Sequence, residues 1–440
     1  MSTVEYFPGI GRVPHASQAA AGDLAFRHYD PDRVVSGRKM RDHLRFSVCW
    51  WHTFSWHGSD VFGAPTRRPP WIVASDSPMQ NAERQATAAF EFFAKLGVDY
   101  FTFHDRDVAP EGADFRESQD SFRRMVDVLE RHMAESGIKL LWGTANLFSH
   151  PRYAAGAATS TDPEVFACAA AQVADALDAT QRLGGANYVL WGGREGYDTL
   201  LNTDLKRERQ QFARFLAMVA EHKARIGFSG ALMIEPKPFE PTKHQYDFDT
   251  AAVHGFLLQF GLADQFKVNI EANHATLSGH SFAHEIAYAI GNGILGSIDA
   301  NRGDPQLGWD TDQFPNDVAE AAQVMLLILE GGGLGSGGFN FDAKLRRTSV
   351  DAADLFYAHI GGMDTIARGL LIADRMRADG HLAALLQDRY SPWSSRLGCD
   401  ILAGRESLAS LRDRASRERL DPVLRSGRQE YLENLFSRYL

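Results

Sequence analysis

Four apolar stretches of the sequence each end in an acidic residue. The four acids are Glu235, Glu271, Asp299 and Asp342. Short apolar stretches of this kind predict buried strands, and the carboxyl ends of neighbouring parallel strands lie together. Carboxylate oxygens are the ligands that hard divalent cations prefer. The pattern therefore predicts a cation site at the ends of the strands.

A second set of possible ligands follows the first. His274 comes three residues after Glu271, and Asp310 and Asp312 occupy alternate positions, so that in extended backbone they point the same way. An isolated Asp-x-Asp pair is more often a solvated loop or a helix cap than a chelating pair. Together with the strand-end acids, however, these residues give six carboxylates and one imidazole.

The charge of this cluster bears on the number of cations. Six converging carboxylates repel one another and take up protons unless cations are present. Two divalent ions bring four positive charges and Lys237 brings a fifth, which leaves the cluster close to neutral. Seven ligands cannot complete two closed octahedra, so a shared acid and open positions are implied. Oxygen ligands with one nitrogen favour Mg, Mn or Co over a structural zinc site.

Two further positions, Lys237 and His104, carry ionisable side chains close to the predicted strand ends. Lys237 is two residues from Glu235, so in a strand both side chains leave the same face, although a simple salt bridge gives the same pattern. His104 ends the stretch Tyr100 to His104, and Asp107 follows closely. A carboxylate partner would fix the tautomer of His104 and suit it to proton transfer. A buried structural histidine remains the alternative.

Aromatic residues fall at or just beyond the third and fourth predicted strands. These residues are Trp142, Phe148 and Trp191. Most aromatic side chains belong to a hydrophobic core, but at these positions they could also form the walls of a pocket. Such walls exclude water and stack against the C–H faces of a sugar.

Composition limits the class of protein. The chain has 440 residues, 44% of them hydrophobic and 23% charged, which is typical of a globular protein. A formal net charge of -10 argues against nucleic acid or an anionic membrane as the main partner. The three cysteines are far apart, and Met1–Pro8 lacks the pattern of a signal peptide. We therefore expect a cytoplasmic protein.

Strand-like and helix-like stretches alternate along the chain, which is typical of an α/β protein with a parallel sheet. Eight such units favour a TIM (β/α)8 barrel, although an open doubly wound sheet gives the same periodicity. The predicted strands are Leu44 to Trp50, Tyr100 to His104, Lys139 to Gly143, Tyr188 to Trp191, Leu232 to Glu235, Val268 to Glu271, Ser297 to Asp299 and Phe339 to Asp342.

The barrel leaves extra length at both ends of the chain. We predict an N-terminal extension at 1–43, the barrel at 44–385 and a C-terminal helical arm at 386–440. The arm mixes Leu with many charged residues, a pattern of helices that need a partner surface. It is either a cap on its own barrel or an arm that wraps another subunit.

Several segments closely resemble the signatures of xylose isomerase. They are Phe103-His104-Asp105, Val189 to Tyr197, Ile234 to Pro238, Glu240 to Asp247 and Asn340 to Lys344. The resemblance covers nearly the whole chain. The N-terminal extension, with Leu24 to Tyr29, is similar to the longer class II branch of the family.

The resemblance implies two metal sites that share one ligand. Glu235, Glu271, Asp299 and Asp342 would hold the first ion, and Glu271, His274, Asp310 and Asp312 the second. His104, oriented by Asp107, would assist ring opening, and Lys237 would contact the carbonyl end of the opened sugar. Phe62 resembles a residue that reaches the pocket of a neighbouring subunit, which implies a homotetramer.

The implied reaction is the conversion of D-xylose to D-xylulose by a 1,2-hydride shift, with weaker conversion of D-glucose to D-fructose. A proton transfer through an enediol uses much the same residues. Two other interpretations of the metal cluster remain: a two-metal barrel hydrolase or nuclease, and a non-catalytic sugar-binding barrel. The low ligand histidine count and the negative net charge make the nuclease the weaker reading.

Overall fold

The structure is a computed structural model that describes residues 4–440. Its centre is a closed barrel of eight parallel strands in which sequence neighbours pair around the ring and the last strand pairs with the first. The barrel strands are β1 (Ser47–Cys49), β2 (Tyr100–His104), β3 (Lys139–Thr144), β4 (Asn187–Trp191), β5 (Ala231–Glu235), β6 (Phe266–Glu271), β7 (Leu295–Asp299) and β8 (Phe339–Phe341). The predicted TIM barrel is confirmed.

One long helix follows each strand and covers the outside of the barrel. The helices are α1 (Pro78–Leu96), α2 (Phe115–Ser136), α3 (Pro163–Arg182), α4 (Leu205–Ile226), α5 (Thr250–Gln259), α6 (Phe282–Gly291), α7 (Val318–Glu330) and α8 (Ala352–Asp379). A serine or an aspartate caps the first turn of these helices; examples are Ser77 before α1 and Asp317 before α7. These side chains accept hydrogen bonds from backbone N–H groups that the first helical turn leaves unpaired.

The side chains of the strands pack in two layers, one outside the barrel and one inside it. Outward-facing residues such as Phe101 and Ile298 join the large hydrophobic core beneath the helices. Trp142 and Val189, which face the inside of the barrel, form a smaller cluster with Leu141 and Met233. Because successive strand residues alternate between the two faces, the last inward-facing side chains lie at the carboxyl end of the barrel. The acids at the strand ends therefore converge there.

The predicted strand bounds are close to the observed ones except at the first strand. Leu44 was placed in that strand, but it ends a short helix, Met40–Leu44, and Arg45 adopts a left-handed backbone conformation with φ 41°. That residue breaks the extended run, so β1 is only three residues long. The end of the eighth strand also differs, because Asp342 lies one residue beyond β8.

Segments outside the barrel occupy both ends of the chain. Backbone N–H groups of Arg27, His28 and Tyr29 donate to Asp364, which ties the N-terminal segment to α8. The predicted extension 1–43 begins with three residues that lie outside the described part of the chain. The predicted boundary at 385/386 falls inside helix α9 (His381–Tyr390). The division into three segments therefore stays a prediction.

The C-terminal helices make little contact with the barrel. They are α9, α10 (Arg396–Leu402), α11 (Leu408–Glu418) and α12 (Gln429–Ser437). Leu435 is buried, whereas Leu402, Leu408 and Leu424 are 75%, 90% and 94% exposed. In residues 4–440 we find no helix with the length and apolar character required to cross a membrane.

Candidate active site

The four strand-end acids converge at the carboxyl face of the barrel. One carboxylate oxygen from each of Glu235, Glu271, Asp299 and Asp342 lies within 4.8 Å of those of the others. All four side chains are buried. Asn269, two residues before Glu271 on the same strand face, donates to Glu235 at 3.2 Å and to Asp299 at 2.8 Å. The strand ends thus hold the acids in a fixed group.

A second group of ligands lies beside the first. Carboxylate oxygens of Glu271, Asp310 and Asp312 also lie within 4.8 Å of one another. His274 occupies a short helix, Ala272–Leu277, that starts directly after β6. Its Nε2 is 3.0 Å from Glu271 Oε2 and 3.3 Å from Asp310 Oδ2. Glu271 belongs to both groups.

Three of the acids have pKa values raised by burial and by neighbouring carboxylates, which indicates that little positive charge lies near them. Burial and the nearby carboxylates of Asp299 and Glu271 raise the pKa of Glu235 well above its usual range. Burial and the carboxylates of Asp342 and Glu271 raise the pKa of Asp299 in the same way. Burial also raises the pKa of Glu271 to about 7, although His274 acts in the opposite direction.

This arrangement fits a pair of divalent cations. Buried carboxylates are normally paired with cations, and this group has more acids than neighbouring side-chain cations. Oxygen donors with one imidazole suit Mg, Mn or Co. One face of each group borders a cavity, which leaves room for further oxygen ligands. The residues therefore fit a two-metal centre in which Glu271 is shared.

Lys237 faces this centre and does not pair with Glu235. Its Nζ lies 2.6 Å from Asp310 Oδ2 and 5.3 Å from the centroid of the Trp191 ring. Burial opposes the charged form of Lys237, but the carboxylates of Asp310 and Glu271 outweigh burial and raise its pKa. Lys237 is therefore a fixed cation inside the pocket.

His104 and Asp107 form a hydrogen-bonded pair at the opposite side of the cavity. The strand β2 ends at His104, and one helical turn, Asp105–Val108, then brings Asp107 back to it. The distance from His104 Nδ1 to Asp107 Oδ2 is 2.7 Å. This contact directs the proton of the imidazole to Nδ1 and leaves Nε2 able to accept or to donate a proton.

The cavity between these groups has a volume of about 200 Å³. Trp142, Phe148 and Trp191 all line it, as the sequence predicts. Phe148 packs edge to face against Trp191, with ring centroids 4.5 Å apart, and against His104 at 5.5 Å. These rings form an apolar wall opposite the acids.

Phe62 does not line this cavity. It lies in an exposed loop, 75% of its surface is accessible, and its ring contacts Trp309 at 5.8 Å. The structure therefore brings every other predicted site residue to one place and leaves Phe62 outside it.

Several residues of the site were not predicted from the sequence. His52 Nε2 lies 3.2 Å from Asp312 and 3.1 Å from Asp342, and Trp51 Nε1 donates to Asp342 at 2.7 Å. Both follow β1 directly, in a short π-helix at Trp51–Ser55. Their signal was their position after a strand, as for His104. Lys344 was missed too, although it comes two residues after Asp342 and contacts Asp312 at 2.7 Å.

Asn301 is another missed residue. Its side-chain amide donates to Glu271 at 2.7 Å and to Asp312 at 3.3 Å, and it also donates to the backbone oxygen of Asp342 at 2.8 Å. It comes two residues after Asp299, beyond the end of β7. Asn301 thus follows a strand-end acid by two residues, just as Lys237 follows Glu235.

Comparisons with known proteins give the family of this chain. The family model described as a xylose isomerase-like TIM barrel matches residues 90–313, and the XylA2 C-terminal domain matches residues 386–440. The chain is 61% identical over 435 residues to the xylose isomerase of Pseudomonas fluorescens (strain Pf0-1), with 99% of both chains covered. The chain belongs to the xylose isomerase family. It is therefore an isomerase enzyme.

Other relatives support the same assignment. The chain is 59% identical over 435 residues to the xylose isomerase of Escherichia coli O139:H28 (strain E24377A / ETEC), again with 99% of each chain covered. Among solved structures, L-ribulose 3-epimerase is 17% identical, covers 71% of this chain and 96% of its own, and gives a TM-score of 0.51. That likeness concerns the barrel fold alone.

Proposed function

We propose that the protein converts D-xylose to D-xylulose with two divalent ions, Mg, Mn or Co, in each subunit. The observation that carries the proposal is the shared position of Glu271. It joins two groups of ligands, and both groups face a sugar-sized cavity that also contains Lys237 and His104. D-Glucose, which is larger by one hydroxymethyl group, is the weaker substrate.

Ring opening of the cyclic aldose is the task of His104. Its Nδ1 is held by Asp107 at 2.7 Å, so Nε2 is the nitrogen that exchanges a proton with the sugar. His104 transfers a proton between the anomeric hydroxyl and the ring oxygen. A positioned imidazole suits this step because it can both accept and donate a proton.

Lys237 acts at the carbonyl end of the opened sugar. Its ammonium group donates a hydrogen bond to the oxygen on which negative charge develops, in a pocket from which water is largely excluded. When bound by Glu235, Glu271, Asp299 and Asp342, and by Glu271, His274, Asp310 and Asp312, the two ions would supply Lewis-acid polarisation of O1 and O2.

The aromatic wall supports a hydride shift between C2 and C1. Trp142, Phe148 and Trp191 give the middle of the sugar an apolar surface and keep out the water that would exchange a proton. A direct 1,2-hydride shift is therefore the proposed route.

Assembly completes the proposed enzyme. Phe62 is exposed, and so are the apolar residues of the C-terminal helices, as expected for surfaces that a second copy covers. We place Phe62 at the pocket of a neighbouring subunit and the arm 386–440 across another barrel, in a homotetramer.

The deciding experiment uses D-xylose deuterated at C2. Chelator-treated protein is supplied with Mg²⁺, Mn²⁺ or Co²⁺, and the position of deuterium in the product is measured by NMR. The proposal predicts D-xylulose with deuterium retained at C1. Extensive loss of deuterium to solvent would replace the hydride shift by an enediol, and absence of ketose with every metal would favour the hydrolase or sugar-binding alternatives.

A further inference from the structure

A second cluster of histidines and a carboxylate lies outside the catalytic cavity, at the start of α6. The rings of His280 and His284 stack with their centroids 4.7 Å apart and their planes 11° apart. One possible ligand atom from each of His280, His284 and Glu285 lies within 4.8 Å of the other two. The three side chains thus form a compact group of two imidazoles and one carboxylate.

The backbone around the group is fixed by hydrogen bonds. Ser281 caps α6 and accepts from the N–H of His284, and the N–H of His280 donates to Ala275 at 3.0 Å. Glu285 is only 4% exposed, and one of its oxygens accepts from the N–H of Thr250 at 2.9 Å. The group therefore connects the turn before α6 with the start of α5.

His280 already has the carboxylate partner that a metal-bound histidine usually has. Its Nε2 lies 3.2 Å from Asp249 Oδ2, and the other oxygen of Asp249 caps α5 by accepting from Ala252 at 2.6 Å. Histidine ligands generally donate their second ring N–H to such a carboxylate, which fixes tautomer and ring orientation. Nδ1 of His280 is then the nitrogen that remains free to bind an ion.

We propose that His280, His284 and Glu285 bind one divalent ion of borderline softness, such as Zn²⁺. Two imidazoles and one carboxylate suit Zn²⁺ and leave a fourth position for water, whereas Mg²⁺ prefers an octahedron of oxygens. Two parallel rings cannot both hold one ion in their planes, so one must turn. His284 is exposed and free to rotate about χ2.

The position of the cluster gives the ion a structural role. Asp249 and Glu285 border a small cavity whose other side is formed by Glu271 and His274. An ion at the cluster would hold the turn before α6 against α6 itself. The contacts of His280 with Asp249 and of Glu285 with the N–H of Thr250 would pass this restraint to the start of α5, on the outer wall behind His274. Because the ion binds the folded chain, it would raise the melting temperature.

Zinc content of the full-length protein tests the proposal. Chelator-stripped protein is dialysed against Zn²⁺ in excess Mg²⁺, and bound zinc is measured by atomic emission. We expect His284→Ala to hold one zinc ion fewer per chain than the unchanged protein. His280→Ala is expected to lose the same ion. His222→Ala is the matched control, because His222 also pairs with a carboxylate, Asp178, at 2.7 Å, and it should retain full zinc content.

The control variants keep the result interpretable. His284 is exposed, and it takes part in the cap of α6 only through its backbone N–H, which donates to Ser281. Its replacement by alanine therefore leaves the fold intact. Equal zinc content in the unchanged protein and His284→Ala would overturn the proposal. So would a zinc-dependent rise in melting temperature of the same size in both. Neither measurement depends on turnover, so the outcome is independent of the proposed isomerase activity.

Discussion

Lys237 Nζ and Asp310 Oδ2 lie 2.6 Å apart, although Glu235 stands only two residues from Lys237 on the same strand end. Glu235 instead contacts Asn269 and lies 3.6 Å from His274 Nδ1. The lysine therefore points across the cavity toward the second ligand group, and the glutamate points into the first. The two side chains are positioned for separate tasks.

Replacement of Lys237 by methionine should abolish most turnover but not metal binding. The loss of one donor to developing negative charge typically lowers kcat about 10²–10³-fold. Kinetics with D-xylose and metal content per chain are the measurements. Lys243→Met, at an exposed position, is the control. Loss of bound metal in Lys237→Met would show that the lysine supports the ligands rather than the substrate.

Replacement of His104 by glutamine should remove the acid–base contribution to ring opening, typically about 10²–10⁴-fold in rate. Asp107→Asn should lose part of the same factor, because the imidazole keeps its place but loses its fixed tautomer. The rate with cyclic D-xylose is measured for both variants. Asp120→Asn, on the exposed face of α2, should behave as the unchanged protein; equal rates in all four proteins would contradict the assigned role.

Metal-free protein should become less stable as the pH rises. The pKa of Glu271 is raised from 4.5 to about 7 by burial, and that of His274 is raised from 6.5 to about 10 by Glu271 despite burial. The folded state thus binds more protons than the unfolded state in both windows, so the free energy of unfolding falls as pH increases through them.

Denaturant titration of chelator-treated protein, from about pH 5 to about pH 9, measures this slope. Added Mg²⁺ should remove it, because the ion replaces protons at the same carboxylates and binds more tightly as they ionise. Stability that increases with pH in the metal-free protein would contradict the protonation pattern of the site.

Asn301→Ala should weaken metal binding without a change in the ligands themselves. Asn301 orients Glu271, which both groups share, and Asp312, which belongs to the second group alone. Loss of such a supporting hydrogen bond typically costs about 10–100-fold in metal affinity. Calorimetric titration with Mn²⁺ gives the affinity, and Asn202→Ala, at an exposed loop position, serves for comparison. Unchanged affinity would mean that the carboxylates are held by other contacts.

Removal of residues 386–440 should lower the oligomeric state and leave the barrel folded. The contact of the arm with its own barrel is concentrated near its end, where Leu435, Phe436 and Tyr439 pack on the core. Arg368 and Arg375 also donate to the last two residues. Light scattering after size-exclusion chromatography gives the mass, and circular dichroism gives the fold. A truncated chain of unchanged oligomeric state would assign the arm to its own subunit.

The sequence predicts those site residues that are the last residue of a strand or that follow a strand at fixed spacing. Glu235, Glu271 and Asp299 are the last residues of β5, β6 and β7, so their place follows from the alternation of apolar residues. Asp310 and Asp312 lie in a loop without such a period. Their alternate spacing marked them as possible ligands, the family resemblance assigned them to the second ion, and the structure brings them to Glu271.

Other contacts depend on the folded chain. His52 reaches Asp312 and Asp342 only because a short π-helix follows β1. The prediction of Leu44 within that strand did not anticipate the left-handed Arg45. Asn301 and Lys344 contact acids that are distant in sequence, by 30 residues from Asn301 to Glu271 and 32 from Lys344 to Asp312. Local pattern carries no information on such pairs.

In the proposed two-metal centre, the shared position of Glu271 would make the loading of the two metal positions interdependent. Its single negative charge serves both groups, so the first ion to bind reduces the attraction that the second ion meets. The two binding free energies are then not additive, and the coupling between them is reciprocal. We expect two separated stepwise affinities rather than one, and substitution of Glu271 should affect both steps at once.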